Sequence, residues 1–264
     1  MSFQPVLPLS GLAGWNFLNR TMETQREVFE NSPSVKRDVD YFQEKIGDVT
    51  SAKELVADRR LLNVALGAFG LEGDIGNKYF VQKILEDGTS DPEALGNKLA
   101  DKRYLALSEA FGFGDNAVPL NQADGFAKEI VDQFHSRQFE VAVGAQDDDL
   151  RLALNLDRDL SDIVAQSSSE NTKWFSIMGN PPLRQVFETA LNMPTGSTQL
   201  DLDQQLSLFK DSAERLFGSS DPAIFASEDT RDDLVETFLL RSQIAQGQSF
   251  QSSTSIALTL LSNL

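Results

Sequence analysis

The sequence predicts an all-α protein, a multi-helical bundle built from repeated helix–turn–helix units. Apolar residues recur at helical spacing, capping residues precede them, and one segment repeats after roughly 40 residues. In the clearest apolar stripe the spacings are 4, 3, 4 and 3 residues, and its members are Leu202, Leu206, Phe209, Ala213 and Leu216. This period is typical of a helix with one face in a core. No stretch alternates apolar and polar residues between turns, so strands are not expected.

The repeat joins two segments in the first half of the chain. LVADRRLLNVALGAFGL at 55–71 returns as LADKRYLALSEAFGF at 99–113. A fainter third copy, PLRQVFETALNM at 182–193, aligns without a gap on residues 60–71. A regular internal period indicates supersecondary units that stack on one another.

Helix starts are marked along the chain by capping residues. Ser32-Pro33 places a proline at the first position of a helix. Ser51–Glu54 and Ser90–Glu93 both match the capping-box pattern and each precedes a copy of the repeat. Pro181-Pro182 opens the third copy.

Eight residues occupy equivalent positions in the two clear copies and form a structural repeat motif. They are Asp58, Arg60, Phe69, Gly70, Asp101, Arg103, Phe111 and Gly112. We expect each Asp to cap the next helix, each Arg to bridge to a carboxylate of a neighbouring repeat, and each Phe to be buried in one shared core. Each Gly should end its helix in the left-handed conformation. The alternative is a catalytic or anion-binding site formed by the Asp and Arg residues at the joint between repeats.

We expect a single all-α domain over 1–264. Gly, Asn and Pro cluster at 112–122 and predict an internal junction between a repeat-containing half, 1–116, and a second helical half, 117–264. The polar stretch 246–255 predicts a flexible connector to a C-terminal tail.

Composition excludes several classes of function. The absence of Cys removes disulfides and thiolate metal sites, and a single histidine, His135, leaves no cluster of His ligands. A net charge of −17 argues against binding to nucleic acid or to anionic lipid, since both attract cations. No catalytic residue, cofactor or metal site is therefore expected.

The strongest metal candidate is Asn155-x-Asp157-x-Asp159. An EF-hand loop that began at Asn155 would need Gly at its sixth position and Glu at its twelfth. The sequence has Leu160 and Gln166 there. We expect these acidic residues to lie on the solvated face of a helix.

The sequence also bears on location. It shows no secretory leader and no uncharged apolar run near the roughly 20 residues that span a bilayer. We expect a protein that does not insert into a membrane and is located in the cytoplasm. The oligomeric state is open.

The C-terminus is a candidate partner-binding segment. Its apolar residues are Ile256, Leu258, Leu260, Leu261 and Leu264. We expect them to occupy a hydrophobic groove on the same or a neighbouring protomer and to exchange for a partner. Alternatively, the segment is simply a helix packed on the core.

Four segments carry a resemblance to a known family. They are SGLAGWNFLNRT, LVADRRLLNVALGAFGL, KLADKRYLALSEAFGFGD and KWFSIMGNPPLRQVFETALNMP. The chain resembles, from about residue 10 to its end, an alphaproteobacterial family of unknown function, domain-of-unknown-function family 1217. Its members are commonly encoded among flagellar genes, and no activity, cofactor or catalytic residue is established for it.

The resemblance implies a flagellar context for this chain, and therefore a location with the flagellum as the alternative to the cytoplasm. We therefore expect a non-enzymatic structural or interaction protein, associated with flagellar assembly or motility and bound to a protein partner such as a flagellar component. The alternatives are an export chaperone or adaptor, and an enzyme with an Asp/Arg site at the joint between repeats.

Overall fold

The protein is all-α, as the sequence predicts. The computed structural model describes the backbone of residues 4–262 and the side chains of residues 4–247. This part of the chain contains thirteen α-helices and several short 3₁₀ turns, and no strand.

The helices are, in chain order, α1 (Gly11–Glu30), α2 (Pro33–Lys45), α3 (Ala52–Ala57), α4 (Arg59–Ala68), α5 (Lys78–Asp87), α6 (Leu95–Lys98), α7 (Arg103–Phe111), α8 (Phe126–Gly144), α9 (Asp148–Ala165), α10 (Glu170–Met178), α11 (Pro181–Ala190), α12 (Leu202–Phe217) and α13 (Glu228–Ser262). None of them, over the described residues, is both long enough and apolar enough to cross a lipid bilayer.

The chain forms two compact units, and α1 contributes to both. The first contains Asn19–Gln146 and the start of the chain up to Val6, and the second contains Leu7–Leu18 and the chain from Asp147 onward. The boundary thus lies at 146/147, whereas the sequence predicts a junction at 112–122.

The segment 112–122 lies inside the first unit because its polar side chains bind other parts of that unit. The buried amide of Asn121 donates hydrogen bonds to the carbonyls of Ile46 (2.6 Å) and Val49 (2.8 Å). The carboxylate of Asp115 accepts the backbone N–H groups of Thr89 and Ser90, the shortest at 2.8 Å. The Gly, Asn and Pro residues that suggested a junction form a packed turn.

Helix α4 is the centre of the first unit. It packs against α2, α3 and α8, and its apolar residues from Leu61 to Ala68 are almost entirely enclosed. Phe69 and Phe111 both belong to the core around it, as the repeat predicts. Gly67 lets α8 approach closely, because a Cβ there would lie 2.7 Å from the ring of Phe134.

Helix α11 has the corresponding place in the second unit. It packs against α9, α10 and α13. The ring of Phe187 meets those of Trp174 and Phe225 edge-on, at 5.5 and 5.3 Å between centroids. The indole N–H of Trp174 donates to the carbonyl of Ser220 (2.7 Å), so the largest buried side chain leaves no donor unpaired.

Helices α4 and α11 begin in the same way. Each has 10 residues. Asp58 caps α4 and accepts the N–H of Leu61 at 3.2 Å, and Asn180 caps α11 and accepts the N–H of Leu183 at 3.2 Å. Both caps satisfy a backbone donor that has no partner within its helix.

The two helices also end in the same way. Gly70 follows α4 with φ of 68°, and Asn192, its counterpart in the third copy, follows α11 with φ of 52°. The N–H of Leu71 reaches back to the carbonyl of Leu66, and that of Met193 reaches back to Glu188, both at 2.9 Å. These bonds close both helices with a Schellman motif. That repeated units stack throughout the fold stays a prediction.

Two of the predicted element boundaries are wrong. Ser90 does not open a capping box, because α6 begins only at Leu95 and the N–H of Glu93 is accepted by Asp91 (2.8 Å). The connector expected at 246–255 is helical, because α13 continues through it. Gln, Ser and Thr do not stop a helix, and no proline is present there. The apolar side chains expected to bind a partner, Ile256 to Leu264, lie outside the described residues.

The glycine after α4 provides a test of the shared helix end. Gly70→Ala should destabilise the protein by about 1–2 kcal/mol, since an L-residue is strained at positive φ, and the new Cβ would lie 3.0 Å from Arg137. Gly73→Ala is the control, because nothing lies within 4 Å of its Cβ position. Urea unfolding measures both, and an equal midpoint for the two variants would contradict the assignment.

Candidate functional site

Asp58 serves as a structural cap. Its Oδ1 accepts the N–H groups of Arg60 (2.8 Å) and Leu61 (3.2 Å), and its Oδ2 accepts the hydroxyl of Tyr41 (2.6 Å). Burial favours the neutral carboxyl, but these hydrogen bonds outweigh it and lower the pKa of Asp58. The carboxylate therefore has donors on both oxygens.

Asp58 and Arg60 form what we call the first joint, and the side chain of Arg60 contacts α2. Its guanidinium lies 4.0 Å over the ring of Tyr41 and donates to the carbonyl of Arg37 (2.7 Å). Asp38 is 3.6 Å away. The prediction that Arg60 bridges to a carboxylate of a neighbouring repeat is wrong. Its partners Arg37, Asp38 and Tyr41 all belong to α2, which packs against α4 and precedes both copies.

The second joint is built around the pair Asp101 and Arg103. Asp101 accepts the backbone N–H of Arg103 (3.0 Å) and both Nε and Nη2 of its guanidinium (3.0 and 2.6 Å). The Nη1 group of Arg103 donates to the carbonyl of Gly70 (2.5 Å). Across the repeats, the acceptor is thus a backbone carbonyl instead of the expected carboxylate. Asp101 also stands one residue before the helix cap, Lys102.

Tyr104 connects this joint to a second carboxylate. Its hydroxyl donates to Asp74 (2.5 Å). Burial and this hydrogen bond raise the pKa of Tyr104 to about 12. The tyrosine therefore remains a neutral donor at physiological pH.

The two joints do not converge on one site. In the described part of the chain, no hydrogen bond or ion pair joins Asp58 or Arg60 to Asp101 or Arg103. None of the four lines the groove described next. Their polar groups hold helix ends and chain turns together.

A concave surface lies beside these joints, between α7 and α8. We call it the acidic groove, and it encloses about 680 Å³. Its floor is apolar and formed by Phe69, Ala106, Ala110, Phe126 and Ile130. Leu120, 41% exposed, also lines the groove. The carboxylates of Glu109, Asp124 and Glu129 also line it, and no Lys, Arg or His does.

Sequence spacing builds the groove. On α7, Ala106, Glu109 and Ala110 have the spacing i, i+3 and i+4, and on α8, Phe126, Glu129 and Ile130 repeat it. Such residues share a helix face. The two alanines are short, so space is left over the floor. Phe126 is fixed from below by Phe111, whose ring meets it edge-on at 5.1 Å.

The three carboxylates have no described hydrogen bond or ion pair and are exposed. Asp124 and Glu129 flank the first turn of α8, where the helix dipole favours negative charge. Glu109 is in the last turn of α7, where the dipole opposes it. The dipole of α7 therefore does not account for a carboxylate at Glu109.

One polar cluster outside the groove differs from the sequence prediction. Asn155 and Asp159 are buried rather than solvated, and Asp159 accepts the amides of Asn155 (3.1 Å) and Asn180 (2.8 Å). In the sequence, the signal for this buried pair was its spacing of four residues on a helix that also carries a stripe of leucines.

Burial lowers the pKa of His135, which lies 3.8 Å from Glu30. No group of three or more His, Asp or Glu residues in the described chain is arranged to hold a metal.

Comparison with known proteins gives the family. The profile of a family described as "protein of unknown function (DUF1217)" matches residues 68–225. The chain belongs to the DUF1217 family. The matched range begins at the end of α4 and contains the whole acidic groove and the second joint, while Asp58 and Arg60 precede it.

A solved structure resembles this DUF1217 protein over most of its length. It is the X-ray structure of a protein from Agrobacterium tumefaciens, a structural-genomics target, and is 26% identical with a TM-score of 0.74. The similarity covers 92% of this chain and 99% of that one. No curated protein matches the chain.

The second joint can be tested by removing its carboxylate. Asp101→Ala should cost about 1–3 kcal/mol, because a half-buried guanidinium loses its partner and the N–H of Arg103 loses its acceptor. Asp40→Ala is the control, since its pair with Lys36 is 3.6 Å long and exposed. Unfolding in guanidinium chloride gives the midpoint of each variant. Equal midpoints would show that the Asp101–Arg103 pair is dispensable for stability.

We expect the protein to lose stability at alkaline pH when Tyr104 ionises. Its folded pKa of about 12 lies above the ordinary value of 10.0. The tyrosine therefore contributes stability below pH 10 that is lost as the pH rises through the folded pKa. Tyr104→Phe should flatten this loss and remove the highest step from the absorbance titration at 295 nm. Tyr79→Phe, at a side chain 82% exposed, is the control. A highest step that survives in Tyr104→Phe would contradict the assignment.

Proposed function

We propose that this DUF1217 protein is a non-enzymatic interaction or structural protein that works in flagellar assembly or motility. The observation that carries the proposal is the acidic groove, a concave surface with an apolar floor and carboxylates beside it. Such a surface suits the docking of another protein. The flagellar setting is the expectation drawn from the family resemblance.

The chemistry of the groove supports binding over catalysis. Its lining contains no Ser, Thr, Cys, Lys or His, so a hydroxyl, thiol or amine nucleophile and a histidine base are lacking there. The Asp and Arg residues of the two joints, which suggested an enzyme, are occupied by backbone groups and by each other. They are accounted for by architecture alone.

An export chaperone or adaptor is a second candidate, favoured by the same groove. A chaperone would cover an apolar segment of a flagellar subunit before assembly and leave when the subunit polymerises. A structural protein would remain with purified flagella. Its presence in or absence from washed filaments and basal bodies distinguishes the two.

Genetic deletion tests the proposal in the organism that encodes the protein. We expect the deletion to reduce spreading in soft agar and the number of flagella seen by electron microscopy. The wild-type gene should restore both. A deletion strain with full motility and normal flagella would contradict the flagellar role.

The same strain separates binding from catalysis. Asp58→Asn and Asp101→Asn each keep an oxygen acceptor for the backbone N–H groups that the two carboxylates bind, but remove the charge that an Asp/Arg enzyme site would use. A chain carrying both substitutions should restore motility if it accumulates normally on immunoblots. Failure of the accumulated double variant would favour the enzyme alternative.

A further inference from the structure

We propose that the acidic groove binds a basic amphipathic helix of a partner protein, with apolar side chains on the groove floor and Lys or Arg residues against Glu109, Asp124 and Glu129. This inference rests on the proposed function, because it specifies the chemistry of the partner at the same site. It follows from the shape of the groove, from its charge and from the placement of one carboxylate.

The shape favours a helix. The groove lies between α7 and the first turns of α8, and α7 is about two and a half turns long. Ala106 and Ala110 face the space with methyl groups only, which leaves room for the side chains of an incoming segment. A helix inserts apolar residues at i, i+3, i+4 and i+7 into such a groove. A partner helix of two to three turns would match the length of α7.

The charge identifies the class of partner. The groove has three carboxylates and no basic residue in its lining, so a segment with Lys or Arg beside its apolar stripe is complementary to it. A second copy of this chain, at a net charge of −17, is repelled overall. The chain's own C-terminus is a poor match, because no Lys or Arg follows Arg241.

Glu109 adds independent support. Its negative charge near the C-terminal end of α7 is opposed by the helix dipole and is not offset by a described partner. Asp124 and Glu129 could be explained by the N-terminus of α8 alone, but Glu109 could not. A cationic ligand in the groove explains all three.

The test uses a synthetic peptide with the proposed chemistry. A fluorescein-labelled helix of about 15 residues, Leu on one face and Lys on the other, is titrated with the full chain and followed by anisotropy. We expect saturable binding that weakens between about 50 and 300 mM salt. A peptide with Glu in place of Lys and a scrambled peptide with the same composition should both bind at least about tenfold more weakly.

Two matched variants locate the site. The triple substitution Glu109→Lys, Asp124→Lys and Glu129→Lys should weaken binding of the Lys peptide by at least about tenfold and improve binding of the Glu peptide. The control triple Asp211→Lys, Glu214→Lys and Glu236→Lys changes the net charge equally at exposed positions outside the groove, and should retain affinity within about a factor of two. Circular dichroism checks that both triples are folded.

A third variant tests the apolar floor. Ala110→Trp fills the groove without changing its charge, and should weaken the Lys peptide while leaving the salt dependence of the remaining binding unchanged. If this variant does not fold, the charge variants still decide the question.

Three outcomes would overturn the inference. They are no binding of the Lys peptide by the wild-type chain, equal weakening in both triples, and full binding by the groove triple. These failures are separate from failure of the proposed function. A chain that rescues motility yet does not bind the peptide refutes the groove inference alone, and groove binding with no motility defect on deletion refutes the flagellar role alone.

Discussion

The enclosure of α4 is the constraint on which the first unit depends. A helix with apolar residues on nearly all sides needs neighbours on nearly all sides, and α2, α3 and α8 provide them. The backbone groups at its two ends have no partner within the helix and are paired by other parts of the chain. Asp58 does this at the start, and Gly70 allows the chain to turn back at the end. The carbonyl of Gly70 in turn receives Arg103, which attaches the second copy of the motif to the first.

The acidic groove is a consequence of this arrangement. Helix α8 is held against α4 by the contact of Phe134 with Gly67, and Phe126 is held by Phe111. The groove floor is therefore the outer surface of the same core that encloses α4. Phe69 and Phe111, which repeat between the two copies, belong to this core, whereas the position of Glu109 corresponds to Gly67 in the first copy.

Sequence reasoning succeeded where a feature is local and failed where it depends on tertiary partners. The cap of Asp58, the left-handed glycines and the buried Phe69 and Phe111 follow from spacing within one helix. The partners of Arg60 and Arg103 could not be predicted in this way, because their acceptors come from α2 and from the end of α4. Ser90 matched a capping pattern, but Asp91 and Asp115 hold that turn instead. The groove could not be seen at all, since it exists only when α7 and α8 are side by side.

The aromatic residues divide between the two units in a useful way. Both tryptophans of the chain, Trp15 and Trp174, belong to the second unit, and the three tyrosines, Tyr41, Tyr79 and Tyr104, belong to the first. Light at wavelengths absorbed only by indole therefore reports on one unit, while the ring-proton NMR signals of the three tyrosines report on the other. A single unlabelled sample can show whether the two units melt together or one after the other, without any engineered chromophore.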